Sequence, residues 1–175
     1  MIKTIIFDVD GTLTDGGIIL SDNGKEIKRF SAYDGLIMRM LPQIGIGTVI
    51  LTGRESEAVR KRGEDLNVTY TIQGIQDKGK KLREISSGIN LKETAYIGDD
   101  LNDYAAMLMC GFRACPSNAA EEIKGICEYV SSYYGGSGAV RDILEHILKK
   151  QQQWDEILKI FLPEKPCPDF RVKSC

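Results

Sequence analysis

The sequence predicts a doubly wound α/β fold, in which helices cover both faces of a parallel sheet. Short β-branched runs alternate along the chain with stretches long enough for helices, and this alternation is typical of β-α-β units. The 175 residues, 42% of them hydrophobic and 27% charged, match the size and composition of one ordinary globular domain. We therefore expect a single domain over residues 1–150 and a C-terminal tail over residues 151–175.

The individual elements follow from where the apolar runs lie. Strands are predicted, in chain order, over residues 4–9, 47–51, 70–72, 94–97, 112–114 and 129–130. Helices are predicted between and after them, over residues 35–41, 56–66, 78–86, 101–109, 119–126 and 138–149. Because each predicted strand is followed by a helix-length stretch, the strands should run parallel and be buried on both faces.

Two segments depart from this alternation. Within residues 15–30, Asn23-Gly24 stands between two strand-like arms, a pattern that predicts a β-hairpin. After Gln153 the chain contains Pro163, Pro166 and Pro168, from which we expect an irregular end to the chain.

Composition excludes several classes of function. A net charge of -2 does not favour a nucleic-acid partner, and no apolar run reaches the ~20 residues that span a bilayer. The N-terminal segment lacks the layout of a signal peptide, so we expect a cytoplasmic protein. His146 is the only histidine, which argues against multi-histidine zinc sites, and the five cysteines form no C-x-x-C pair. The chemistry should therefore depend on carboxylates, lysine, arginine and hydroxyl groups.

Polar residues follow the predicted strands at the positions where open α/β sheets bind ligands. Residues 8–12 (Asp-Val-Asp-Gly-Thr) follow the first strand, and residues 52–54 (Thr-Gly-Arg) follow the second. Residues 98–103 (Gly-Asp-Asp-Leu-Asn-Asp) follow a later strand, and Lys78 begins a helix. We expect these side chains to meet at one edge of the sheet.

The residue types at this edge indicate phosphate chemistry. Asp8, Asp10 and Asp99 would repel one another unless a hard cation lay between them, and Mg²⁺ prefers carboxylate and water ligands. With Mg²⁺ bound, Asp8 would stay ionised and could attack phosphorus, while Asp10 could act as the general acid and base. Thr52 and Lys78 could bind phosphoryl oxygens.

Each of these motifs also has a purely structural interpretation. Asp99 or Asp100 could cap a helix, residues 52–53 could form a plain turn, and a lysine at a helix start is usually solvated. Gly11 would allow the backbone to approach a phosphate closely. Because all the motifs occur together, each after a strand, we favour the phosphate interpretation.

These four motifs resemble those of the haloacid dehalogenase superfamily, in order and in spacing, over about residues 1–150. The resemblance implies that Asp8 forms an aspartyl-phosphate and that Asp10 is the acid-base residue. It also implies that Mg²⁺ contacts Asp8, Asp99 and the backbone carbonyl of Asp10. The residues that support this arrangement would be Gly11, Gly53, Asp100 and Asp103.

The spacing of the motifs resembles that of the capless members of this superfamily. The segment between Asp10 and Thr52 has room for the hairpin and one helix only, and the segment between Thr52 and Lys78 for one helix and one strand. We do not expect the chain's own hairpin to close the site. Capless members usually accept large substrates or complete the site with a neighbouring subunit.

Residues 15–17, 30–35, 52–56 and 135–141 resemble the 3-deoxy-D-manno-octulosonate 8-phosphate phosphatases. That resemblance implies a homotetramer in which a hairpin and a Gly-rich tail from adjacent subunits complete the site. Cationic groups among the implied contacts would suit a sugar-acid phosphate, which carries a carboxylate as well as a phosphate. The implied substrate-binding residues are Asp10, Ser31, Ala32, Tyr33, Asp34, Gly35, Arg39, Arg54, Arg62 and Lys78.

Two departures from this pattern leave alternatives open. Tyr33 stands where the family commonly has a basic residue, and Ile37 stands where it usually has glycine. A nine-carbon, sialic-acid-type 9-phosphate is therefore an alternative substrate, although Arg54 favours the eight-carbon acid.

A second alternative concerns the class of function and is a non-catalytic oligomerising or regulatory domain, but Asp8 and Asp10 are both retained. A mutase is a third, which an open site accessible to water disfavours.

Overall fold

The computed structural model describes residues 1–162 and confirms the α/β architecture. A six-stranded parallel sheet consists of β1 (Thr4–Phe7), β4 (Gly47–Leu51), β5 (Tyr70–Ile72), β6 (Thr94–Ile97), β7 (Phe112–Cys115) and β8 (Tyr129–Val130). The helices are α1 (Ala32–Met38), α2 (Glu57–Asp65), α3 (Lys78–Ile85), α4 (Leu101–Met107), α5 (Glu121–Lys124), α6 (Ala139–Lys150) and α7 (Trp154–Phe161). Short 3₁₀ turns cover Leu41–Ile44, Ser86–Gly88 and Leu91–Glu93.

The strand order places β1 at the centre of the sheet. The order is β5-β4-β1-β6-β7-β8, and Thr4 of β1 lies opposite Gly47 on one side and Thr94 on the other. The chain first adds strands on one side of β1 and then, from β6, on the other side. Such a reversal opens a crevice at the carboxyl ends of the central strands. The residues that follow β1 therefore lie where a ligand site is expected.

Helices pack on both faces of the sheet because neighbouring strand residues point to opposite sides. Ile5 belongs to a core cluster with residues of α1, α2, α6 and α7, whereas Ile6 belongs to a second cluster with residues of α3, α4 and α5. Both side chains are fully buried. The doubly wound arrangement is thus confirmed, with the core divided between the two faces.

The predicted hairpin is present as a separate two-stranded sheet. Its strands β2 (Ile19–Leu20) and β3 (Glu26–Ile27) are antiparallel, and Ile19 lies opposite Ile27. Gly24 in the turn adopts φ +76, a left-handed conformation that glycine tolerates without a steric penalty. The apolar side chains of this hairpin face outwards: Ile19 is 51% exposed and Leu20 is 63% exposed.

The C-terminal segment differs from the expected irregular tail. Residues 154–161 form α7, and Ile157 in its middle is only 1% exposed within the core cluster. The apolar residues of this segment recur at helical spacing, which lets one face of the helix pack against the domain. Pro163, Pro166 and Pro168 lie outside the described residues. No helix within residues 1–162 has the length and apolar character needed to cross a membrane.

We predict that α7 contributes to the stability of the domain. Replacing Ile157 with alanine should lower the free energy of unfolding by about 2–4 kcal/mol, because it leaves a cavity in the core. Ile160 lies on the same helix but is 42% exposed, so Ile160→Ala is the matched control and should cost less than about 1 kcal/mol. Urea denaturation of both variants measures the difference, and equally small effects would show that α7 does not belong to the core.

Candidate active site

The loop after β1 brings the two aspartates of the first motif to the carboxyl edge of the sheet. The Asp8 backbone N–H donates to the Ile97 carbonyl at 2.9 Å, which continues the pairing of β1 with β6. The chain then turns back, because the Leu13 N–H donates to the Val9 carbonyl at 2.9 Å. Asp8 is 4% exposed, whereas the Asp10 side chain is 21% exposed. Asp8 therefore lies inside the protein and Asp10 lies at the mouth of the site.

Lys78 is buried between two carboxylates. Its Nζ donates to Asp8 Oδ1 at 2.6 Å and to Asp103 Oδ1 at 2.7 Å, and the residue is 1% exposed. Lys78 is the first residue of α3, whose N-terminal end is capped by the Asp77 side chain. Since a buried ammonium is costly unless it is paired, the two contacts fix Lys78 beside Asp8.

Asp103 supports this arrangement from α4. Besides Lys78, its Oδ1 accepts a hydrogen bond from the Tyr96 hydroxyl at 2.8 Å, and its Oδ2 accepts one from the Asp99 N–H at 3.1 Å. Asp100 and Asp103 also form the capping box of α4. Asp100 therefore caps the helix, as its purely structural interpretation predicted. Asp103 both caps α4 and pairs with the buried Lys78.

Asp99 approaches the first motif very closely. Its Oδ1 accepts a hydrogen bond from the Thr12 hydroxyl at 2.8 Å. A Cβ added to Gly11 would lie 1.9 Å from Asp99 Oδ2, and Gly11 also has φ +93. The structure thus gives a reason for Gly11 that the sequence did not: the glycine makes room for the Asp99 carboxylate.

The carboxylates at this edge carry more negative charge than Lys78 balances. Oxygen atoms of Asp8, Asp99 and Asp103 all lie within 4.8 Å of one another. Burial, reinforced by the charge of Asp103, raises the pKa of Asp8 to about 8. Burial likewise raises the pKa of Asp99 to about 7, although the Thr12 hydrogen bond opposes the shift. Such crowding is relieved when a cation joins the cluster.

The cluster fits a hard divalent cation. All of its candidate ligand atoms are carboxylate oxygens, the donor type that Mg²⁺ prefers. Both oxygens of Asp103 already accept internal hydrogen bonds, so Asp8 and Asp99 are the carboxylates best placed to hold an ion. The predicted contribution of Asp10 is its backbone carbonyl, and its side chain turns towards the hairpin instead.

The second motif lies at the carboxyl end of β4. The Thr52 N–H donates to the Ile72 carbonyl at 3.0 Å, and Thr52 is 2% exposed. Gly53 follows it. A Cβ at Gly53 would meet nothing closer than 3.6 Å, so the surrounding atoms do not require a glycine at this position. The Arg54 side chain is 51% exposed, and its Nε donates to Glu26 Oε1 at 3.1 Å.

The chain's own hairpin reaches the site, which was not expected from the sequence. Lys28, just after β3, forms an ion pair with Asp10 Oδ1 and donates to Glu26 Oε1 at 3.0 Å. The Lys28 side chain is 1% exposed. Neither Lys28 nor Glu26 was predicted from the sequence to lie at the site. The only sequence signal for this contact was a pair of charged residues flanking an apolar one in a short hairpin strand. Because surface strands commonly show that pattern, it does not indicate a contact with the site.

Several predicted sugar-acid contacts are engaged in contacts within the domain. The Ser31 hydroxyl caps α1 by accepting from the Asp34 N–H at 3.2 Å. Arg62 donates to the Ser31 carbonyl at 3.1 Å and lies over the Phe30 ring at 5.6 Å. A Cβ on Gly35 would lie 2.1 Å from Arg62 Nη2. In this structure Arg62 therefore joins α2 to the start of α1.

Asp34 connects α1 with α6. It is 2% exposed, and its Oδ1 accepts from the Arg141 N–H at 2.8 Å. Burial raises the pKa of Asp34, although the hydrogen bond from the Arg141 N–H opposes the shift.

By contrast, Tyr33 is 75% exposed and lines a surface cavity of about 560 Å³ together with Tyr133. Ala32 and Arg39 are exposed as well.

Ile37, the other departure from the family pattern, lies in the core. It is 1% exposed and belongs to the core cluster under α1. Of the two departures from the family pattern, Tyr33 alone therefore lies at the surface, where a substrate can reach it.

The Gly-rich segment packs against the first motif of its own chain. The Gly136 N–H donates to the Thr12 carbonyl at 3.1 Å, and a Cβ at Gly135 would lie 1.8 Å from the Gly11 carbonyl oxygen. The segment leads directly into α6, whose Ile143 and Leu144 are fully buried. This segment thus packs beside the first motif within its own chain.

Comparisons with known proteins agree with this geometry. The haloacid dehalogenase-like hydrolase family matches residues 73–144. The 3-deoxy-D-manno-octulosonate 8-phosphate phosphatase of Haemophilus influenzae is 37% identical over 152 residues, which are 86% of this chain and 84% of that protein. The phosphatase of the same name from Escherichia coli is 33% identical over 157 residues, covering 89% of this chain and 84% of that protein.

A solved structure extends the likeness to three dimensions. The 3-deoxy-D-manno-octulosonate 8-phosphate phosphatase of Moraxella catarrhalis, in complex with magnesium, phosphate and the sugar acid, is 41% identical with a TM-score of 0.87. The match covers 91% of this chain and 93% of that one. The chain therefore belongs to the haloacid dehalogenase-like hydrolases and, among them, to the family of 3-deoxy-D-manno-octulosonate 8-phosphate phosphatases.

Proposed function

We propose that this protein is a Mg²⁺-dependent phosphatase that hydrolyses 3-deoxy-D-manno-octulosonate 8-phosphate to the free sugar acid and phosphate. The observation that carries the proposal is the buried Asp8–Lys78–Asp103 ion-pair system beside Asp99 at the carboxyl ends of the central strands. The substrate is assigned from the relatives of that name, which are similar to this chain over most of their length.

Asp8 is the proposed nucleophile. Lys78 holds one of its oxygens at 2.6 Å, which fixes the orientation of the carboxylate at the end of β1. Attack of Asp8 on phosphorus forms an aspartyl-phosphate and breaks the bond between phosphorus and the sugar oxygen. Because Lys78 is held by Asp103 as well, its positive charge stays beside Asp8 when negative charge develops on the phosphoryl group.

Asp10 is the proposed general acid and base. It lies two residues beyond Asp8, and its side chain is partly exposed at the mouth of the site, where a leaving group departs. Asp10 donates a proton to the sugar oxygen and then removes one from the water that hydrolyses the aspartyl-phosphate. Thr52, at the end of the neighbouring strand β4, is the proposed hydroxyl ligand of the phosphoryl group.

Mg²⁺ would be held by the carboxylates of Asp8 and Asp99 and by the backbone carbonyl of Asp10. When bound, it neutralises the negative charge shared by the protein and the phosphate and keeps Asp8 ionised. Thr12 orients Asp99 for this role through its 2.8 Å hydrogen bond.

Arg54 is the proposed contact for the carboxylate of the substrate. Its side chain is half exposed at the carboxyl end of β4, and its Nε alone is engaged with Glu26, so other guanidinium donors can reach a ligand. The exposed ring of Tyr33 is the position at which a nine-carbon acid would be distinguished from the eight-carbon acid.

We also propose that the protein is a homotetramer that associates through the hairpin. Ile18, Ile19, Leu20 and Ile27 are all 45% or more exposed, and they lie on or directly before a small two-stranded sheet. Exposed apolar surface of this kind marks an interaction site. A neighbouring subunit seated on the hairpin would also stabilise the Lys28–Asp10 contact. A cytoplasmic location stays a prediction from the sequence.

Phosphate release from a panel of sugar and sugar-acid phosphates tests the proposed activity. We predict that 3-deoxy-D-manno-octulosonate 8-phosphate has the highest kcat/KM and that EDTA abolishes turnover, which Mg²⁺ then restores. A preference for a nine-carbon acid 9-phosphate would contradict the substrate assignment but would still agree with the proposed mechanism. No Mg²⁺-dependent release from any member of the panel would support the non-catalytic alternative instead.

Replacing Asp8 with asparagine should abolish turnover, because the amide is not a nucleophile towards phosphorus. We expect a loss of at least about 10³-fold in kcat with the fold retained, since Asp103 still pairs with Lys78. Asp22→Asn, in the exposed hairpin turn, is the matched control and should keep normal activity. Appreciable turnover by Asp8→Asn would identify a different nucleophile.

Replacing Leu20 with glutamate should dissociate the tetramer. Leu20 is 63% exposed on the hairpin, so the substitution places a charge at the proposed interface without disturbing the core. The control is Leu108→Glu, directly after the last residue of α4, where the side chain is 51% exposed. Light scattering coupled to gel filtration measures the mass. A wild-type monomer, or a tetramer that survives Leu20→Glu, would contradict the proposed interface.

A further inference from the structure

The hairpin delivers a buried cation to the acid-base residue. Lys28 contacts Asp10 Oδ1 and Glu26 Oε1, and its side chain is only 1% exposed. Burying an ammonium group is unfavourable unless carboxylates compensate its charge. Asp10 and Glu26 provide that compensation, so the position of Lys28 is determined by both the hairpin and the site.

Glu26 keeps Lys28 in place from within the same hairpin. Its side chain is 11% exposed and also accepts from Arg54 Nε at 3.1 Å. Although burial opposes it, the pairing with Lys28 and Arg54 holds the pKa of Glu26 below its ordinary value, so the group stays a carboxylate. Asp10, Lys28, Glu26 and Arg54 therefore form a row of alternating charges across the mouth of the site.

We propose that Lys28 is a positioning residue for Asp10, the general acid and base. The ammonium group occupies Oδ1 of Asp10, which leaves Oδ2 as the oxygen that carries and transfers the proton. Oδ2 protonates the sugar oxygen as its bond to phosphorus breaks, and then accepts a proton from the attacking water. Lys28 orients the carboxyl group and takes no part in the proton transfer.

This inference rests on the proposed phosphatase activity and extends it to the hairpin. A carboxyl group at the mouth of an open site can rotate, and a general acid contributes about 10²- to 10⁴-fold only when it is aligned with the leaving oxygen. The Lys28 contact limits that rotation. The hairpin would thereby influence catalysis through Asp10, without itself contacting the reacting phosphoryl group.

The test compares two substrates that differ in their need for a general acid. A sugar-acid phosphate has a poor alkoxide leaving group, whereas p-nitrophenyl phosphate releases a stable phenolate that needs little protonation. We expect Lys28→Met to lower kcat/KM by about 10- to 100-fold for the sugar-acid phosphate and by less than about threefold for the aryl phosphate. Lys28→Arg should recover part of the loss, because it restores a cation. Lys25→Met, an exposed lysine on the same hairpin, is the matched control and should leave both values unchanged.

A second measurement needs no substrate. Labelling of lysine amines, read by peptide mass spectrometry, should modify Lys28 far more slowly than Lys25 in the wild-type protein and should speed up at Lys28 in the Asp10→Asn variant. Equal labelling of the two lysines would overturn the contact itself. An equal loss for both substrates in Lys28→Met, or no loss for either, would overturn the positioning role. Failure of the wild-type protein to hydrolyse either substrate would instead refute the proposed function.

Discussion

The ammonium group of Lys78 is the interaction on which the rest of the site depends. It comes from the start of α3 and joins Asp8, at the end of β1, to Asp103 of α4, so three elements meet at one buried charge. Removing it would leave two carboxylates uncompensated inside the protein, a loss of about 3–5 kcal/mol for a broken buried pair. Asp103 in turn holds the loop that carries Asp99. The same contacts that stabilise this part of the fold therefore set the geometry of the phosphate chemistry.

Chemistry and specificity occupy different depths of the molecule. Asp8 and Lys78 are almost fully buried, where surrounding elements fix them and where electrostatic interactions are strong. Arg54 and Tyr33 lie at the surface, where they can contact the variable part of a substrate. Asp10 lies between these layers and is held by Lys28 of the hairpin. Under the proposed assignment of Arg54 and Tyr33, a change at the rim would alter the preferred sugar acid without disturbing the reaction centre.

Most of the sheet and the chemical core of the site could be predicted from the sequence, because both depend on local patterns. Asp8 and Lys78 were found from their places at a strand end and a helix start. The hairpin contact was not found, since the docking of Lys28 on Asp10 depends on tertiary packing of a short two-stranded sheet. Arg62 was expected at the substrate and stays a prediction, and the contact of its long side chain with Ser31 before α1 was not foreseen. Helix α7 lies in the segment for which the prolines beyond it had indicated an irregular end.

A crystal structure of the protein with Mg²⁺ and beryllium fluoride, a mimic of a phosphoryl group on a carboxylate, tests the role of Asp8 most directly. We expect beryllium joined to an oxygen of Asp8, Mg²⁺ contacting Asp8 and Asp99, and Lys78 still bonded to Asp103. Beryllium on any other carboxylate, or Mg²⁺ bound away from Asp99, would contradict this expectation.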